Sequence, residues 1–262
     1  MPKAFWKGVI SFGMVAIPVK MYRATETKEI SFHMLHNKCM TRTKQVIYCP
    51  TDNEYISRKD TVRGYEFTKD RYVVLIEKDF EKIPLKTAHA INIMRFVEMK
   101  EIDPSFFYNS HYLEPEELGA KPFRLLKEAL QKTGLVGIAK VVLQRREHLC
   151  CVRPQSEILV LDTLHYQNEI VPANQIIAPR PDINEPELDM AVSLIKVMAG
   201  HFQPELYKDE YQSALKEMVG AKIKGEKVVV PEGPRIEIGD LMASLRASIE
   251  AARKEPVGAS KK

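Results

Sequence analysis

The residue types best suited to chemistry lie close together: His33, His36, Cys39 and Cys49, the last followed by Pro50-Thr51-Asp52. Imidazoles and thiolates are the usual ligands of zinc, and a zinc knuckle wants Cys-x-x-Cys pairs or their equivalent. Asp52 stands where a second cysteine would complete the pair begun by Cys49. The segment is therefore expected to be a hairpin with ordinary His and Cys side chains and no metal. Cys150-Cys151, in the run His148-Leu149-Cys150-Cys151-Val152, read as small buried hydrophobes. The chain has no G-x-x-x-x-G-K-[ST] phosphate loop, no G-x-G-x-x-G, no H-E-x-x-H and no G-x-S-x-G. The Lys-x-Asp-Gly lysine of nucleotidyl transferases is also missing. No cofactor is expected, and the chain reads as a binding protein rather than an enzyme.

With catalysis set aside, charge carries the argument. The chain has 262 residues and a formal net charge of +4, with 28% charged and 45% hydrophobic residues, the composition of an ordinary globular protein. Residues 1–63 hold 11 basic and 5 acidic side chains, residues 136–154 hold 4 and 1, and residues 155–219 hold 4 and 11. A modest sum thus conceals a basic start, a second basic patch and an acidic stretch, as expected if one surface faces a polyanion. The apolar runs are interrupted and far shorter than the roughly 20 residues of a membrane helix, and four cysteines do not make a disulfide scaffold. A cytoplasmic protein is expected.

These residues need a scaffold, and the first two-thirds of the chain reads as strands. Gly8–Lys20 is rich in β-branched residues, and Tyr72–Ile76, Ala90–Val97, Gly137–Leu143, Leu149–Val152 and Ile158–Leu161 are further short runs. One helix interrupts them, Lys121–Lys132, with Phe123, Leu126 and Leu130 at helical spacing. Many strands and few helices point to an antiparallel barrel or sandwich. After Pro179-Arg180-Pro181 the pattern becomes helical: Pro186–Ala199, a second helix capped by Asp209, and a final one, Leu241–Ala252, capped by Asp240. Residues 256–262 are expected to be disordered.

The order of short motifs is more specific than any one of them. Trp6-Lys7-Gly8-Val9-Ile10-Ser11-Phe12-Gly13, then Ile17-Pro18-Val19-Lys20-Met21-Tyr22, Ser31-Phe32-His33-Met34-Leu35-His36, Glu101-Ile102-Asp103-Pro104, Leu161-Asp162-Thr163-Leu164 and Leu241–Ser248 follow one another. In this series the chain resembles prokaryotic Ku, over roughly residues 4–250. The resemblance implies a Ku-type antiparallel β-barrel core with a helical C-terminal arm, assembled as a ring-shaped homodimer. It further implies a ring that threads onto double-stranded DNA ends without reading sequence and recruits an ATP-dependent DNA ligase, of the ligase D type, in non-homologous end joining. The domain reading that goes with it is a core over 1–178 including a DNA-bridging hairpin at about 30–63, an arm and last helix over 179–252, and a short basic tail over 253–262. Such a protein would be cytoplasmic and nucleoid-associated, with no membrane partner.

Phosphate contacts from Lys and Arg give affinity without sequence readout. The candidates are Lys20, Arg23, Lys38, Arg42, Lys44, Arg58, Lys59, Arg63, Arg145 and Arg146. Arg42-Thr43-Lys44 is expected to put two cations on one face of a strand. Leu188, Val192, Ile195 and Met198 are the candidate dimer interface, and Leu241, Leu245 and Ile249 either dock the ligase or form a core helix. Two other readings stay open: a zinc-dependent nucleic-acid enzyme built on His36, Cys39 and Cys49, and an RNA-binding barrel module. The second would use aromatic stacking platforms, and an aromatic content of 8% without aromatic–basic interleaving argues against it.

Overall fold

Gly13 divides the first apolar run. The expected single strand Gly8–Lys20 is a hairpin, β1 (Trp6–Phe12) and β2 (Val15–Arg23), with Phe12 paired to Val15 across a two-residue loop. The first loop residue needs a left-handed backbone, and Gly13, at φ +57°, supplies it. Pro18 falls inside β2, but pairing of β2 to the next strand starts only at Val19, so the missing N–H leaves no gap there. The structure, a computed structural model, describes residues 3–81, 89–225 and 241–254.

The strands β7 (Ala90–Glu98), β8 (Phe107–Pro115), β9 (Leu135–Leu143), β10 (Arg146–Gln155) and β11 (Ile158–Leu164) complete a closed seven-stranded barrel in the order β1-β2-β8-β11-β10-β9-β7. The expected barrel is present, with one refinement. Its closing seam is parallel, pairing Val9 with Ala90, Ile10 with Ile91 and Ser11 with Asn92. The Val9 N–H donates to the His89 carbonyl at 3.0 Å, and a Cβ on Gly8 would sit 2.2 Å from that same oxygen. Only glycine permits so close an approach, which gives the Trp6-Lys7-Gly8 motif a structural role. Strand β8 was not legible as a strand, because FYNSHYLEP buries only His111 and Leu113.

Alternate side chains fill the interior: Ile17, Val19 and Met21 from β2, Val141 from β9, Val152 from β10 and Leu161 from β11, all with no exposed surface. Helix α2 (Ala120–Thr133) adds Phe123, Leu126 and Leu130 to the same cluster and ends on Gly134, at φ +70°. The pleat sends Cys150 into the barrel and Cys151 into a second cluster with Val136 and Leu164 outside it. Burial raises both thiols, Cys151 to about 12, so they behave as hydrophobes, as expected. Beside Cys151 lies a buried charge. Asp162 accepts from Arg153 at 2.6 Å and from the Ser110 hydroxyl at 2.5 Å.

Two small hairpins, β3 (Ile47–Cys49) with β4 (Glu54–Ile56) and β5 (Arg63–Thr68) with β6 (Arg71–Leu75), lie between β2 and the short helix α1 (Glu77–Glu81). No described residue from 22 to 80 is buried. By contact the chain divides after Gln175 into two units. The second holds α3 (Glu185–Met198), α4 (Glu210–Lys224) and α5 (Leu241–Lys254). Asn184 caps α3 and Asp209 caps α4, accepting from the Gln212 N–H at 2.9 Å. Asp240 and residues 256–262 lie outside the described residues. Helices α3 and α5 are in contact, yet none of this unit's described residues is buried.

Removing the partner of a buried charge costs more than neutralising the charge itself. Arg153→Met, which strands the Asp162 carboxylate, is expected to cost about 3–5 kcal/mol. Asp162→Asn keeps the Ser110 hydrogen bond and is expected to cost less. Urea unfolding midpoints of the two variants check this order.

Candidate functional site

The basic residues predicted from sequence fall into two groups. Lys38, Arg42, Lys44, Arg58 and Lys59 stand on the coreless segment between the barrel strands, all exposed. None of the five makes an ion pair within the described residues, whose salt bridges lie elsewhere. The expected strand face for Arg42 and Lys44 is corrected by the structure. Arg42 forms an isolated bridge with Leu35, and Lys44 lies outside any strand. The bridge is made by two backbone bonds, Thr43 N–H to the Met34 carbonyl and His36 N–H to the Thr41 carbonyl, each 2.9 Å, and the pairing does not continue to Lys44. Arg58 and Lys59 occupy a 3₁₀ turn capped by Ser57, whose oxygen accepts the Lys59 N–H at 3.3 Å.

The second group is engaged. The Arg63 guanidinium lies 5.4 Å from the centre of the Phe80 ring. Arg145 pairs with Glu77 at 2.7 Å and Arg146 with Glu169 at 2.5 Å. Both arginines sit at the tight β9–β10 turn expected from sequence, where Gln144 and Arg145 take left-handed backbones. These pairs are solvent-exposed, and such pairs contribute about 0–1 kcal/mol, so an incoming phosphate can displace the carboxylate at little cost. On β2, Lys20 faces outward between Lys7 and Glu114, while Arg23 ends the strand opposite His111. The carboxylates held by Arg145 and Arg146 were not legible in the sequence, because both partners are remote in the chain.

The His/Cys cluster resolves into two separate pairs. His36 Nδ1 lies 3.1 Å from Cys39 Sγ, and Cys49 Sγ donates to Asp52 Oδ2 at 3.1 Å. Among the described residues no group of three or more His, Cys, Asp or Glu is gathered to hold a metal. Hydrogen bonds from the Thr41 hydroxyl and N–H, then from His36, favour the thiolate and lower Cys39 to about 7. On the helical unit, Leu188 (53%), Ile195 (68%) and Met198 (52%) are widely exposed and Val192 less so. The face of α3 carrying Met190, Ala191 and Leu194 is half-buried instead, so the helix is apolar on two sides. Leu241 is exposed, while Leu245 and Ile249 are half-buried on α5.

Residues 11–190 match the family model described as the Ku70/Ku80 beta-barrel domain. The chain belongs to the Ku family. A curated relative from Symbiobacterium thermophilum, named Non-homologous end joining protein Ku, is 43% identical over 97% of the chain. The chain spans 64% of the length of that relative. Proteins of the same name from Solibacter usitatus and Archaeoglobus fulgidus are 39% and 38% identical, and the matches span 97% and 100% of their lengths. The Ku match reaches past the barrel into α3, so the family relation includes the start of the helical unit.

The four cysteines of this Ku chain should separate cleanly by reactivity, since thiolate fraction and access set the rate. At pH 7 iodoacetamide is expected to modify Cys39 first and to leave Cys150 and Cys151 untouched until the barrel unfolds. Mass spectrometry of peptides from a time course reads the order. Labelling of Cys150 in folded protein at the rate of Cys39 would contradict the burial described.

Proposed function

We propose that this Ku chain binds the ends of double-stranded DNA without reading sequence, as a homodimeric ring, in non-homologous end joining. The observation that carries this reading is the set of five exposed, unpaired cations on a segment with no buried residue. A free cation releases a counterion from the DNA and gains fully, whereas an exposed paired one must first give up its carboxylate, at about 0–1 kcal/mol. A segment without a core is held by what it touches, and a polyanion offers many weak, sequence-independent contacts. Lys20, Arg23, Arg145 and Arg146 extend the contact surface onto the barrel.

Burial supports the dimer. Apolar side chains on β5 and β6, among them Tyr65, Phe67, Tyr72 and Val74, are about half exposed, as is the outer face of α3. A second copy that covers both supplies the core these elements lack, and obligate dimers bury such large apolar areas. Leu188, Val192, Ile195 and Met198 form the arm's share of that interface. On this reading α5, through Leu241, is left to dock an ATP-dependent DNA ligase. No step of chemistry is assigned to the chain itself, in keeping with a scaffold that holds ends for another enzyme.

A second reading is favoured by one observation. Tyr48 and Tyr55 meet as a tilted pair across β3 and β4, ring centres 5.4 Å apart at 54°, and the Arg71 guanidinium lies 5.4 Å from the Phe67 ring centre. This aromatic–basic pairing, which the order of residues along the chain does not reveal, would also suit stacking on single-stranded nucleic acid.

The two readings separate in one competition. Linear duplex is expected to retain the protein, closed circular duplex of the same sequence is not, and single strands should compete poorly. Closing the linear ends afterwards should trap the bound protein. Affinity for linear duplex should fall steeply with salt. Changing both Arg42 and Lys44 to Gln should reduce the log–log slope by about 1 for each phosphate that is no longer neutralised. Equal retention on circular and linear duplex, or a flat salt plot, would overturn the proposal.

A further inference from the structure

The barrel interior changes character at one mouth. The inward-facing series of β2 runs Ile17, Val19, Met21 and then Arg23; on β8 Leu113 gives way to His111; on β10 Val152 and Cys150 give way to His148. On β11 Leu159 and Leu161 are followed by Thr163. Four neighbouring strands thus place a polar side chain in the same last layer, where continued apolar filling would have been simpler. At the opposite mouth, near Pro18 and the β10–β11 turn, α2 lies against the barrel through Gly119 and the Lys127–Glu157 pair.

The polar mouth opens into a cleft of about 660 Å³ that also takes in Phe5, Tyr108, Arg146 and Glu169. That is a volume suited to a small ligand, and barrel mouths are common ligand sites. His111 is only 9% exposed, with the Phe5 ring against it at 5.4 Å, and its Nδ1 has no hydrogen-bond partner among the described residues. Arg23, paired across the ladder with His111, has no acidic partner among the described residues. Arg146 shows what this wall selects. It holds the Glu169 carboxylate at 2.5 Å, the Tyr166 N–H donates to that carboxylate at 2.8 Å, and His165 stands 3.7 Å away.

We propose that this mouth binds a small phosphate-bearing anion of mononucleotide size, the phosphate held by Arg23 with His111 and His148. Two arginines against one carboxylate exclude a cation, and the polar last layer excludes a purely apolar guest. Donors arriving from three strands suit a tetrahedral group with three acceptor oxygens better than a planar carboxylate. The Tyr108 ring, packed edge-on against His165 at 5.2 Å, supplies an aromatic wall for a base. Burial pushes both His111 and His148 below the usual imidazole value. Around His111, Asp162 favours the charged ring, while Arg23 and His148 oppose it. Around His148, Glu169 favours it and Arg146 opposes it. A bound dianion adds to the favourable side, so binding takes up protons. The site shares Arg23 and Arg146 with the duplex reading, while His111 and His148 belong to the mouth alone.

The phosphate has two candidate sources, a free nucleotide or the terminal phosphate of a DNA strand. Calorimetric titration of the full chain uses inorganic phosphate, deoxyadenosine monophosphate, deoxyadenosine and sulfate as probes. The monophosphate and inorganic phosphate are expected to bind and deoxyadenosine is not. Arg23→Gln, a change at an exposed strand end, should weaken the monophosphate at least tenfold. Sulfate keeps its charge between pH 8 and 6, so its affinity should rise several-fold over that interval as the histidines take protons. A short duplex with a 5′-phosphate that displaces the monophosphate, when the 5′-hydroxyl duplex does not, identifies the strand end as the source; failure of both to displace it identifies the free nucleotide. No binding of either phosphate at pH 6, or an unchanged affinity in Arg23→Gln, would overturn the proposal. Retention on linear duplex is measured separately, so its outcome and this one do not mask each other.

Discussion

Among the described residues, burial is confined to the barrel, α2 and the turn that leads into it. Every buried residue described lies between Ile10 and Leu164, and none lies on the hairpin segment or on α3, α4 and α5. Hydrophobic burial is the main favourable term in folding, so among the described elements the barrel with α2 is the best equipped to fold by itself. Its closure rests on a narrow seam, three parallel pairs made possible by the absence of a side chain at Gly8. Everything outside that seam and core carries apolar surface that water would otherwise face. Such elements are natural contact surfaces, because their cost of ordering is offset only when something covers them.

Electrostatics divide along the same line. Three ion pairs lie on the barrel and α2, Asp162 with Arg153, Lys127 with Glu157 and Lys140 with Glu147, each at 2.6–2.7 Å. On the coreless segment the cations from Lys38 to Lys59 have no partner among the described residues. On the proposed duplex reading, this division pairs a rigid frame braced by internal ion pairs with a soft surface whose cations are free. At the polar mouth of the barrel the buried His111 has a ring nitrogen without a partner among the described residues, beside the exposed Arg23.

Much of this was legible in the sequence, and the failures have physical causes. Long runs dense in β-branched residues, such as those of β9 and β11, announced themselves, as did α2 through Phe123, Leu126 and Leu130. The β1–β2 turn was missed because a single glycine inside an apolar run looks like continuing strand. Strand β8 was missed because a barrel strand can be half polar when its outer face meets water. The Arg42–Lys44 pair missed its expected strand face because pairing stops at the single Leu35–Arg42 bridge, which closes a tight turn with Met40 in a left-handed backbone. For the site, the candidate cations could be named from sequence, but which of them are already paired depends on Glu77 and Glu169, contacts that only folding creates. The polar mouth had a faint signal, a charged or imidazole residue two positions beyond an apolar one at the ends of β2, β8 and β10.

The central claim is that a second copy of the chain completes what the barrel leaves without a core. Amide hydrogen exchange followed across a dilution series tests it most directly, because it reports each element separately. The account predicts that β5, β6 and α3 are protected at micromolar protein and lose that protection together on dilution, while β2, β9 and β11 remain protected throughout. Protection of β5, β6 and α3 that is independent of concentration in a protein sedimenting as a monomer would contradict it.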